Sequence, residues 1–434
     1  MTRAAWGIHL NGKTYSEEAL ITQSGWQYST YYDKERYLSV ARRMLPDGGW
    51  QKARLDYHNT TDDNHNVASI GICPIDGTIH LAYDHHGDEL HYQKSIQGVT
   101  LNPESIAWDI HLFTGNLGSL PGSGSMSSLE KVTYPRFVIA RDGALFLFWR
   151  NGGSRNGRIW MSEYSPKSKW KDQWQISSST GNYSFGGTTS NNRNMYLNGI
   201  QSDTSGKLHI SWCWREEDGG LGDHSINYAC SEDRGLTWKN YKGVEIANQA
   251  NDKRIDISSP DICIWQVDPG RGLQNQNCQV VDSKGRIHIG SLHLQEGVMS
   301  LDVGTRDYSK SALYDYWLDE SGKWHRAMIT TKVDTSLRYK HNRPQFIVDS
   351  EDNVYCIWNY NFDLLIAVAK RSENYRTWTE LIHESGPFTS EFPPDHYRMM
   401  QDNIISIFAQ DKPSQDGQNS AVRVIDYRIE GLWK

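Results

Sequence analysis

The chain has 434 residues, a formal net charge of −7 and 22% charged residues, and its aromatic content is high, with 17 Trp, 23 Tyr and 10 Phe. Such a composition can bury a sizeable core, which excludes a disordered protein. No apolar run approaches the roughly 18–20 residues of a membrane span, and a net acidic chain is a poor partner for nucleic-acid backbone. We therefore expect neither a membrane nor a nucleic acid as a partner.

The six cysteines form no CxxC pair and have no zinc-like spacing to histidine. Buried free thiols are the favoured interpretation, and a disulfide between Cys263 and Cys278 stays open. The first residues lack the apolar segment of a signal peptide, as expected if a start codon had been placed on a mature chain. Acceptor sequences for N-glycosylation at Asn59 and Asn182 give weak support to secretion.

A pattern of apolar strand, Asp/Gly turn and second apolar strand recurs along the chain. Its five copies occupy residues 68–83, 135–149, 198–212, 278–290 and 345–358. The turn residues are Gly77, Gly143, Gly206, Gly285 and Asn353, and Gly and Asn suit the positive-φ position of a tight hairpin. The flanking runs are short, alternating and β-branched, which is typical of strands.

Repetition of a four-stranded antiparallel unit predicts an all-β protein of the β-propeller class. The flanks at residues 26–55 and 404–433 have room for two further copies, so we predict seven blades, and six stay open. No long amphipathic helix interrupts the pattern. We predict a single β-propeller domain over residues 1–434, in which the terminal strands close one blade together.

One segment fits the Asp-box pattern Ser-x-Asp-x-Gly-x-Thr-Trp, namely Ser231 to Trp238, and residues 372–378 are a decayed relative. Such boxes close the hairpin between the outer strands of a blade. We expect their Asp and Trp to be structural, because the turn is held by side-chain hydrogen bonds and the ring packs between sheets.

In a propeller blade, the start of the first strand and the end of the second strand lie on the same face. Aligning the repeats therefore predicts a polar site on that face. The residues before the first strands are His65, Asn66, Tyr134, Arg136, Tyr196, Asn198, Gln276, Asn277, His341, Asn342 and Arg343. Those after the second strands are Asp84, His85, His86, Arg150, Asn151, Trp214, Arg215, His293, Asn359 and Tyr360. Arginine and histidine on a net acidic protein indicate an anionic ligand, and aromatic rings beside them indicate sugars.

Each candidate also has a structural alternative. His85 and His86 are interpreted as catalytic, with a hydrogen-bonded loop or a metal site as alternatives. Arg150 and Arg215 are interpreted as clamps for a carboxylate, although each can instead form an ion pair with a neighbouring carboxylate. Tyr134 can simply seal the central pore.

Several of these segments resemble the BNR-repeat group of sugar-active propellers. They are Tyr83-Asp-His-His-Gly, Thr133-Tyr-Pro-Arg-Phe137, Phe148-Trp-Arg-Asn-Gly-Gly-Ser154, Tyr196-Leu-Asn-Gly-Ile200 and Trp212-Cys-Trp-Arg-Glu216. The resemblance covers roughly residues 65 to 380. Within the group, the chain looks most similar to the fungal L-rhamnose-α-1,4-D-glucuronate lyases that trim gum arabic, with ulvan lyases and rhamnosyl-glucuronate hydrolases as alternatives.

The resemblance implies a secreted, monomeric polysaccharide lyase that acts on an acidic, rhamnose-containing polysaccharide and holds Ca²⁺ near its central cavity. β-Elimination needs a carboxylate clamp, a base for the C5 proton and an acid for the departing O4. We assign the base to His85, with His86 as the fallback, and the clamp to Arg150 and Arg215. Tyr134 has a helper role, and either a tyrosine or His85 itself can supply the acid. The predicted substrate-binding residues are His86, Arg136, Asn151, Tyr196, Trp214, His293, Arg343 and Tyr360.

Carboxylates are few on the predicted face, which argues mildly against an ordinary glycosidase with two catalytic carboxylates. A lectin that binds acidic glycans without cleaving them is the non-enzymatic alternative.

Overall fold

The computed structural model describes residues 2–3, 10–14, 18–61, 63–126, 128–217, 219–298, 308–334, 343–415 and 418–430. Two of the predicted face residues, His341 and Asn342, lie outside these ranges. The chain divides into two compact units, one of residues 1–151, 161–173 and 385–434, the other of residues 152–160 and 174–384. Each unit has its own core.

Strands dominate both units, and the one α-helix of the described residues is α1, His396–Asp402. Strands β1 to β14 are Thr2–Arg3, Leu20–Gln23, Trp26–Tyr32, Tyr37–Met44, Gln51–His58, Ala68–Cys73, Thr78–Tyr83, His86–Asp88, Tyr92–Lys94, Val132–Ile139, Leu145–Asn151, Arg158–Ser165, Lys169–Trp170 and Trp174–Gln175. Strands β15 to β26 are Thr180–Phe185, Thr188–Asn192, Asn194–Ser202, Leu208–Arg215, Asp223–Ser231, Thr237–Lys239, Glu245–Asn248, Cys263–Trp265, Cys278–Val281, Ile287–Leu294, Ser311–Leu318 and Trp324–Thr330. Strands β27 to β33 are Gln345–Val348, Val354–Tyr360, Asp363–Ala369, Trp378–Glu384, Ile404–Gln410, Asn419–Ser420 and Val422–Arg428.

In the first unit, β2 to β5 form a four-stranded sheet, and β6, β7 and β9 form a three-stranded one. A larger sheet has the order β13-β12-β11-β10-β8, β31 pairs with β33, and β1 pairs with β32. In the second unit, β17 to β22 form one sheet, β23 to β26 and β27 to β30 form two four-stranded sheets, and β15 and β16 form a separate hairpin. The all-β prediction and its antiparallel four-stranded sheets are confirmed, whereas seven blades, a single domain and terminal closure of one blade stay predictions.

The predicted turns between paired strands are stabilised by their aspartates. Asp282 Oδ1 accepts hydrogen bonds from the backbone N–H groups of Lys284 and Arg286, and Gly285 has a φ of +76°. Glycine adopts this backbone conformation without steric cost, so the Asp-x-x-Gly sequence closes the hairpin between β23 and β24.

The Asp box has the structural role predicted for it. Asp233 Oδ1 accepts hydrogen bonds from the Ser231 hydroxyl at 2.9 Å and from the Thr237 N–H at 2.8 Å. The Trp238 indole is buried and donates to the carbonyl of Gly235 at 3.1 Å. The box thus ties the turn between β19 and β20 to the core of the second unit.

All six cysteines are free thiols, and five of them are buried. The interpretation as buried free thiols is therefore confirmed for these five; the exception is Cys263, which is exposed, and the structure contains no bond between Cys263 and Cys278. None of the helices in the described ranges has the length and apolarity needed to cross a membrane.

Apolar side chains from neighbouring sheets pack into continuous cores. In the first unit, side chains of the sheet β2–β5 pack with those of β6 and β7, including Tyr28, Val40, Ile70, Leu81 and Tyr83. In the second unit, the sheets β23–β26 and β27–β30 share a core that includes Val280, Leu313, Trp317, Phe346 and Trp358. Burial of this apolar area, at roughly 25 cal/mol per Å², is the main stabilising contribution to each unit.

Glycine allows two sheets of the first unit to approach closely at one point. A Cβ atom on Gly71 of β6 would lie 2.5 Å from the ring of Phe137 on β10. Phe137 is buried, so its ring has little room to move away.

We expect Gly71→Ala to lower the free energy of unfolding by about 1–3 kcal/mol, since overpacking forces the ring or the strand to shift. Gly118→Ala is the matched control, because Gly118 is exposed and a Cβ there would meet nothing within 4 Å. Urea unfolding followed by tryptophan fluorescence measures both variants. Equal stability of the two variants would contradict the packing argument.

Candidate active site

Three adjacent strands of the first unit place polar residues in one row. Thr133 on β10 pairs with His86 on β8 and with Arg150 on β11. Arg150 is buried, and its Nη2 donates to the Thr133 hydroxyl at 3.1 Å. Antiparallel pairing thus fixes an imidazole and a guanidinium on either side of one threonine, independently of any loop.

A β-bulge turns Tyr134 out of the regular strand. The register of β10 and β11 shifts between Thr133 and Arg136, and Tyr134 has a φ of +55°. This backbone conformation costs a residue other than glycine of the order of 1–3 kcal/mol, and such strain concentrates at functional sites. The bulge brings the Tyr134 ring centroid to 4.8 Å from the Arg150 guanidinium carbon.

One carboxylate bridges two histidines beside this row. Asp63 lies in the loop between β5 and β6; its Oδ1 bonds His65 Nδ1, and its Oδ2 bonds His86 Nδ1 at 2.6 Å. The two imidazole rings are stacked, with centroids 4.1 Å apart and an interplanar angle of 17°. Burial raises the pKa of Asp63, but the hydrogen bonds from His65 and His86 outweigh it, and the pKa falls well below its usual range. Asp63 is therefore ionised.

The ionised carboxylate sets the tautomer of both rings. Because a carboxylate only accepts hydrogen bonds, each Nδ1 carries the proton, and each neutral ring keeps its lone pair on Nε2. The His86 side chain is 36% exposed and that of His65 is 30% exposed. Tyr134 completes the cluster, with its ring centroid 6.2 Å from that of His65 and 6.4 Å from that of His86.

Asp63, His65 and His86 are also the one group in the described ranges with three potential metal-ligand atoms within 4.8 Å of one another. Two imidazoles and one carboxylate suit a transition metal such as Zn²⁺, whereas Ca²⁺ prefers six to eight oxygen ligands. This group therefore does not fit the predicted calcium ion, and no catalytic step is assigned to a metal.

His85 has a different environment from the one that its predicted role as base requires. It is 1% exposed, and its Nε2 accepts a hydrogen bond from the backbone N–H of His91 at 2.8 Å. Its Nδ1 therefore carries the proton, and burial lowers its pKa well below the ordinary value. His85 is a neutral ring that holds the chain between β7 and β9, and its role as base is an untested prediction.

A buried network holds the loops around the cluster. Asp84 has a φ of +61° and accepts hydrogen bonds from Tyr57 at 2.6 Å, Asn59 at 3.0 Å and Asn66 at 2.6 Å. Burial raises the pKa of Tyr57, and the bond to Asp84 raises it further, so the phenol is a donor at neutral pH. Asp84 thereby joins the end of β5 to the start of β6.

Two further predicted residues of this unit have structural environments. Arg136 is 1% exposed within β10, and Asn151 at the end of β11 donates to the carbonyl of Ser128 at 2.9 Å. Of the predicted residues in the first unit, the structure brings His86, Tyr134 and Arg150 together.

In the second unit, Arg215 is held by an acidic partner. Its Nε and Nη2 donate to the two carboxylate oxygens of Asp223 at 2.6 and 2.9 Å, and Nη1 donates to the Tyr196 hydroxyl at 3.1 Å. Its guanidinium carbon lies 4.3 Å from the Tyr196 ring centroid. Burial acts to lower the pKa of Arg215, but Asp223 outweighs it and the pKa is raised. The ion-pair partner of Arg215 is thus Asp223 and not the adjacent Glu216, which pairs with Arg193.

The other predicted residues of this unit are mostly buried. Trp214 is fully buried, and Arg343, 2% exposed, donates to the carbonyl of Asn275 at 3.0 Å. His293 hydrogen bonds the Leu294 carbonyl at 2.8 Å and the Tyr316 hydroxyl at 2.6 Å, and burial lowers its pKa to about 4. Tyr360 is partly exposed at the end of β28. Convergence of these residues on one face is a prediction that stays untested.

Asp63 was absent from the sequence prediction, and His65 was named only as a face residue. The available signal was local, because an Asp two residues before a His often bonds it within a turn. The bridge to His86, 23 residues further along the chain, depends on the fold and had no signature in the spacing.

The model of the BNR repeat-containing family matches residues 26–332. The chain belongs to this family. It is 23% identical over 347 residues to the long-isoform ulvan lyase of Alteromonas sp. (strain LOR), an alignment that covers 69% of this chain and 33% of that protein. It is 26% identical over 281 residues to the short isoform from the same strain, covering 54% of this chain and 52% of that protein. The chain thus spans about a third of the length of the long isoforms it matches.

Solved structures support a propeller-like fold. The crystal structure of polysaccharide lyase Uly1 superposes with a TM-score of 0.70 at 16% identity, covering 94% of this chain and 89% of that chain. A PL25 ulvan lyase has a TM-score of 0.67 at 12% identity, covering 99% and 97%. The BP39L lectin of Burkholderia pseudomallei has a TM-score of 0.58 at 10% identity, covering 95% and 96%. Because lyases and a lectin share the fold, the function must be argued from side chains.

Asp63 generates a prediction about stability against pH. Its folded pKa is lowered, so its charge contributes stability above the unfolded pKa, and this contribution is lost as the pH falls through the folded value. We expect Asp63→Asn to destabilise the chain at neutral pH, and the difference from the parent to shrink progressively below about pH 4. Denaturant unfolding across this range measures it. The control is Asp56→Asn, which removes an exposed carboxylate of β5; if both variants behaved alike, the bridge would contribute nothing.

Proposed function

We propose that the chain is a polysaccharide lyase that cleaves beside a uronate by β-elimination, with ulvan-type glucuronate–rhamnose chains as its substrate class. The observation that carries the proposal is the cluster of Asp63, His65, His86, Tyr134 and Arg150 in the first unit. It combines the three groups that elimination requires: a cation, a base and a proton donor.

Arg150 is the proposed clamp for the uronate carboxylate. A guanidinium stays charged at every working pH and binds a carboxylate through two parallel hydrogen bonds. Neutralising the carboxylate makes the proton on C5 more acidic, because the carbanion that forms delocalises into the carboxyl group. Arg215 is a weaker candidate for this role, since both oxygens of Asp223 already occupy its Nε and Nη2.

His86 is the proposed base, in place of His85. Its Nδ1 proton is held by Asp63, which leaves the Nε2 lone pair for the C5 proton and stabilises the imidazolium that results. His65 shares the same carboxylate and stacks on His86, so it holds the ring in position and is the alternative base.

Tyr134 is the proposed acid. The C5–H bond breaks as its proton moves to Nε2, the C4–O4 bond breaks as the C4–C5 double bond forms, and the phenolic proton passes to O4. The positive φ of Tyr134 presents its ring between the histidines and Arg150. An ordinary glycosidase is disfavoured, because it requires two working carboxylates and the one carboxylate of this cluster is bound by two histidines.

Similarity to ulvan lyases favours ulvan over gum arabic as the substrate. The fungal rhamnose–glucuronate lyases remain the second candidate, since the motifs of the sequence resemble them. A polysaccharide is too large to enter a cell intact. The proposal therefore includes secretion of the enzyme.

The assay that tests the activity supplies ulvan and gum arabic separately and follows ultraviolet absorbance together with released sugars. We expect ulvan oligosaccharides that carry the absorbance of a 4,5-unsaturated uronate. Free rhamnose from gum arabic with that absorbance would instead identify the chain as a rhamnose–glucuronate lyase. Release of sugar without new absorbance would mean hydrolysis. Retention on immobilised polysaccharide without any cleavage would mean a lectin, and either result would overturn the lyase proposal.

Substitution of the adjacent histidines tests the base. We expect His86→Ala to lower kcat by about 10²- to 10⁴-fold, since general base catalysis contributes that much, and to cost the fold only the one hydrogen bond between His86 and Asp63. His85→Ala should chiefly lower the free energy of unfolding, by about 1–3 kcal/mol, because it leaves the partly buried N–H of His91 without its acceptor and creates a cavity at a buried side chain. His111→Ala, an exposed histidine of the same unit, is the matched control. A folded His85→Ala variant without activity, beside an active His86→Ala variant, would restore His85 as the base.

A further inference from the structure

A second polar pocket lies in the first unit, at the opposite strand ends from the histidine cluster. Its volume is about 480 Å³, and its lining includes Trp26, Arg42, Lys52, Glu104 and Trp108. Trp26 begins β3, and Arg42 lies near the end of β4. This group of residues is called the Trp26–Trp108 pocket.

Arg42 at this pocket is a buried cation without a carboxylate partner among the described residues. It is 2% exposed; its Nε donates to Gln51 at 2.8 Å, and its Nη2 donates to the Ile106 carbonyl at 2.6 Å. Its Nη1 is buried and has no hydrogen-bond partner in the described ranges. Both acceptors are neutral, so the charge of Arg42 is not compensated, and a buried uncompensated charge is costly.

Two indoles hold the guanidinium in place. The guanidinium carbon of Arg42 lies 4.8 Å from the Trp26 ring centroid and 4.6 Å from that of Trp108. Trp108 is itself fixed by a hydrogen bond from its indole N–H to the carbonyl of Val40 at 3.2 Å. A cation positioned by aromatic faces loses little side-chain entropy when it binds an anion. The partly exposed indole of Trp108 offers an apolar ring beside that charge.

The pocket is remote from the histidine cluster. Gln51, which bonds Arg42, begins β5, whereas the far end of β5 leads into Asn59, which bonds Asp84 beside the cluster. Eight residues of strand span about 25 Å at roughly 3.3 Å per residue. A single sugar residue therefore cannot contact both the Trp26–Trp108 pocket and the histidine cluster.

We propose that the Trp26–Trp108 pocket is a second sugar-binding site that holds an anionic sugar residue of a polysaccharide chain. Arg42 Nη1 is covered in this structure, so the Trp108 ring that lies against the guanidinium must shift to admit the ligand. The oxyanion, a uronate carboxylate or a sulfate ester, then accepts a hydrogen bond from Nη1, and the sugar ring packs on Trp108. Lys52 and Glu104 also line the pocket, and their formal charges cancel, which leaves Arg42 as the net charge. This proposal rests on the proposed function for its substrate class. A second site increases the retention of a long polymer through effective concentration, with no effect on the chemistry at the first.

The test uses His86→Ala protein, so that polymer binding is measured without cleavage. D-glucuronate, inorganic sulfate and neutral methyl glucoside are titrated while tryptophan fluorescence is followed, and retention on immobilised ulvan is measured separately. Arg42→Gln removes the charge. Ala107→Trp fills the pocket from an exposed position, which keeps the test decisive if Arg42→Gln does not fold. Arg141→Gln is the matched control, because it removes an equal charge from an exposed turn of the same unit.

We expect glucuronate or sulfate to bind and methyl glucoside not to bind, and which anion binds identifies the carboxylate or the sulfate ester. Arg42→Gln and Ala107→Trp should each weaken that binding about tenfold or more, as expected for loss of a charged hydrogen bond. With His86 intact, both variants should cleave a short oligosaccharide at the parental rate. Anion binding that is unchanged in both variants, or no anion binding at all, would overturn the proposal. A chain that binds glucuronate here but cleaves nothing would overturn only the lyase proposal.

Discussion

Antiparallel pairing of β8, β10 and β11 is the constraint on which the candidate site depends. It places His86 and Arg150 on the two sides of Thr133, and backbone hydrogen bonds hold that spacing. The bulge after Thr133 then turns Tyr134 toward the same place at the cost of a strained φ. Strand geometry therefore supplies the cation, the phenol and His86, and the loop between β5 and β6 supplies Asp63 and His65. A site supported by strands is held more rigidly than one built from loops alone.

The adjacent histidines illustrate how one residue of chain separates two environments. The link between β7 and β8 leaves His85 buried, whereas the side chain of His86 is 36% exposed. Burial then suppresses the charged form of His85, and the backbone N–H of His91 takes up its lone pair. His86 instead meets an ionised Asp63, which accepts a hydrogen bond from its Nδ1 and leaves Nε2 available. The same residue type thus serves packing at one position and is suited to proton transfer at the next.

The sequence predicted much of this organisation because its signals are local. Turn residues such as Gly285 and the Asp box at Ser231 specify hairpins whose hydrogen bonds form within a few residues. The repeat predicts which strand ends lie on one face, and His86, Tyr134 and Arg150 are all at such strand ends. The sequence did not indicate which of His85 and His86 faces the site, because that depends on the conformation of a short loop. The Asp63 bridge, the Asp223 partner of Arg215 and the position of Arg42 between two indoles all depend on segments that meet only in the folded chain.

Charge compensation distinguishes the arginines more sharply than burial does. Arg42 and Arg215 are both largely removed from solvent, but Asp223 takes two hydrogen bonds from Arg215, so that side chain stabilises the fold and has little left for a ligand. Arg42 bonds a neutral amide and a carbonyl and rests against two rings, so its charge persists at a pocket. A stability role alone would be served by an apolar side chain between two tryptophans, at no desolvation cost. An uncompensated guanidinium that lines a pocket is therefore the basis of the proposed anion site.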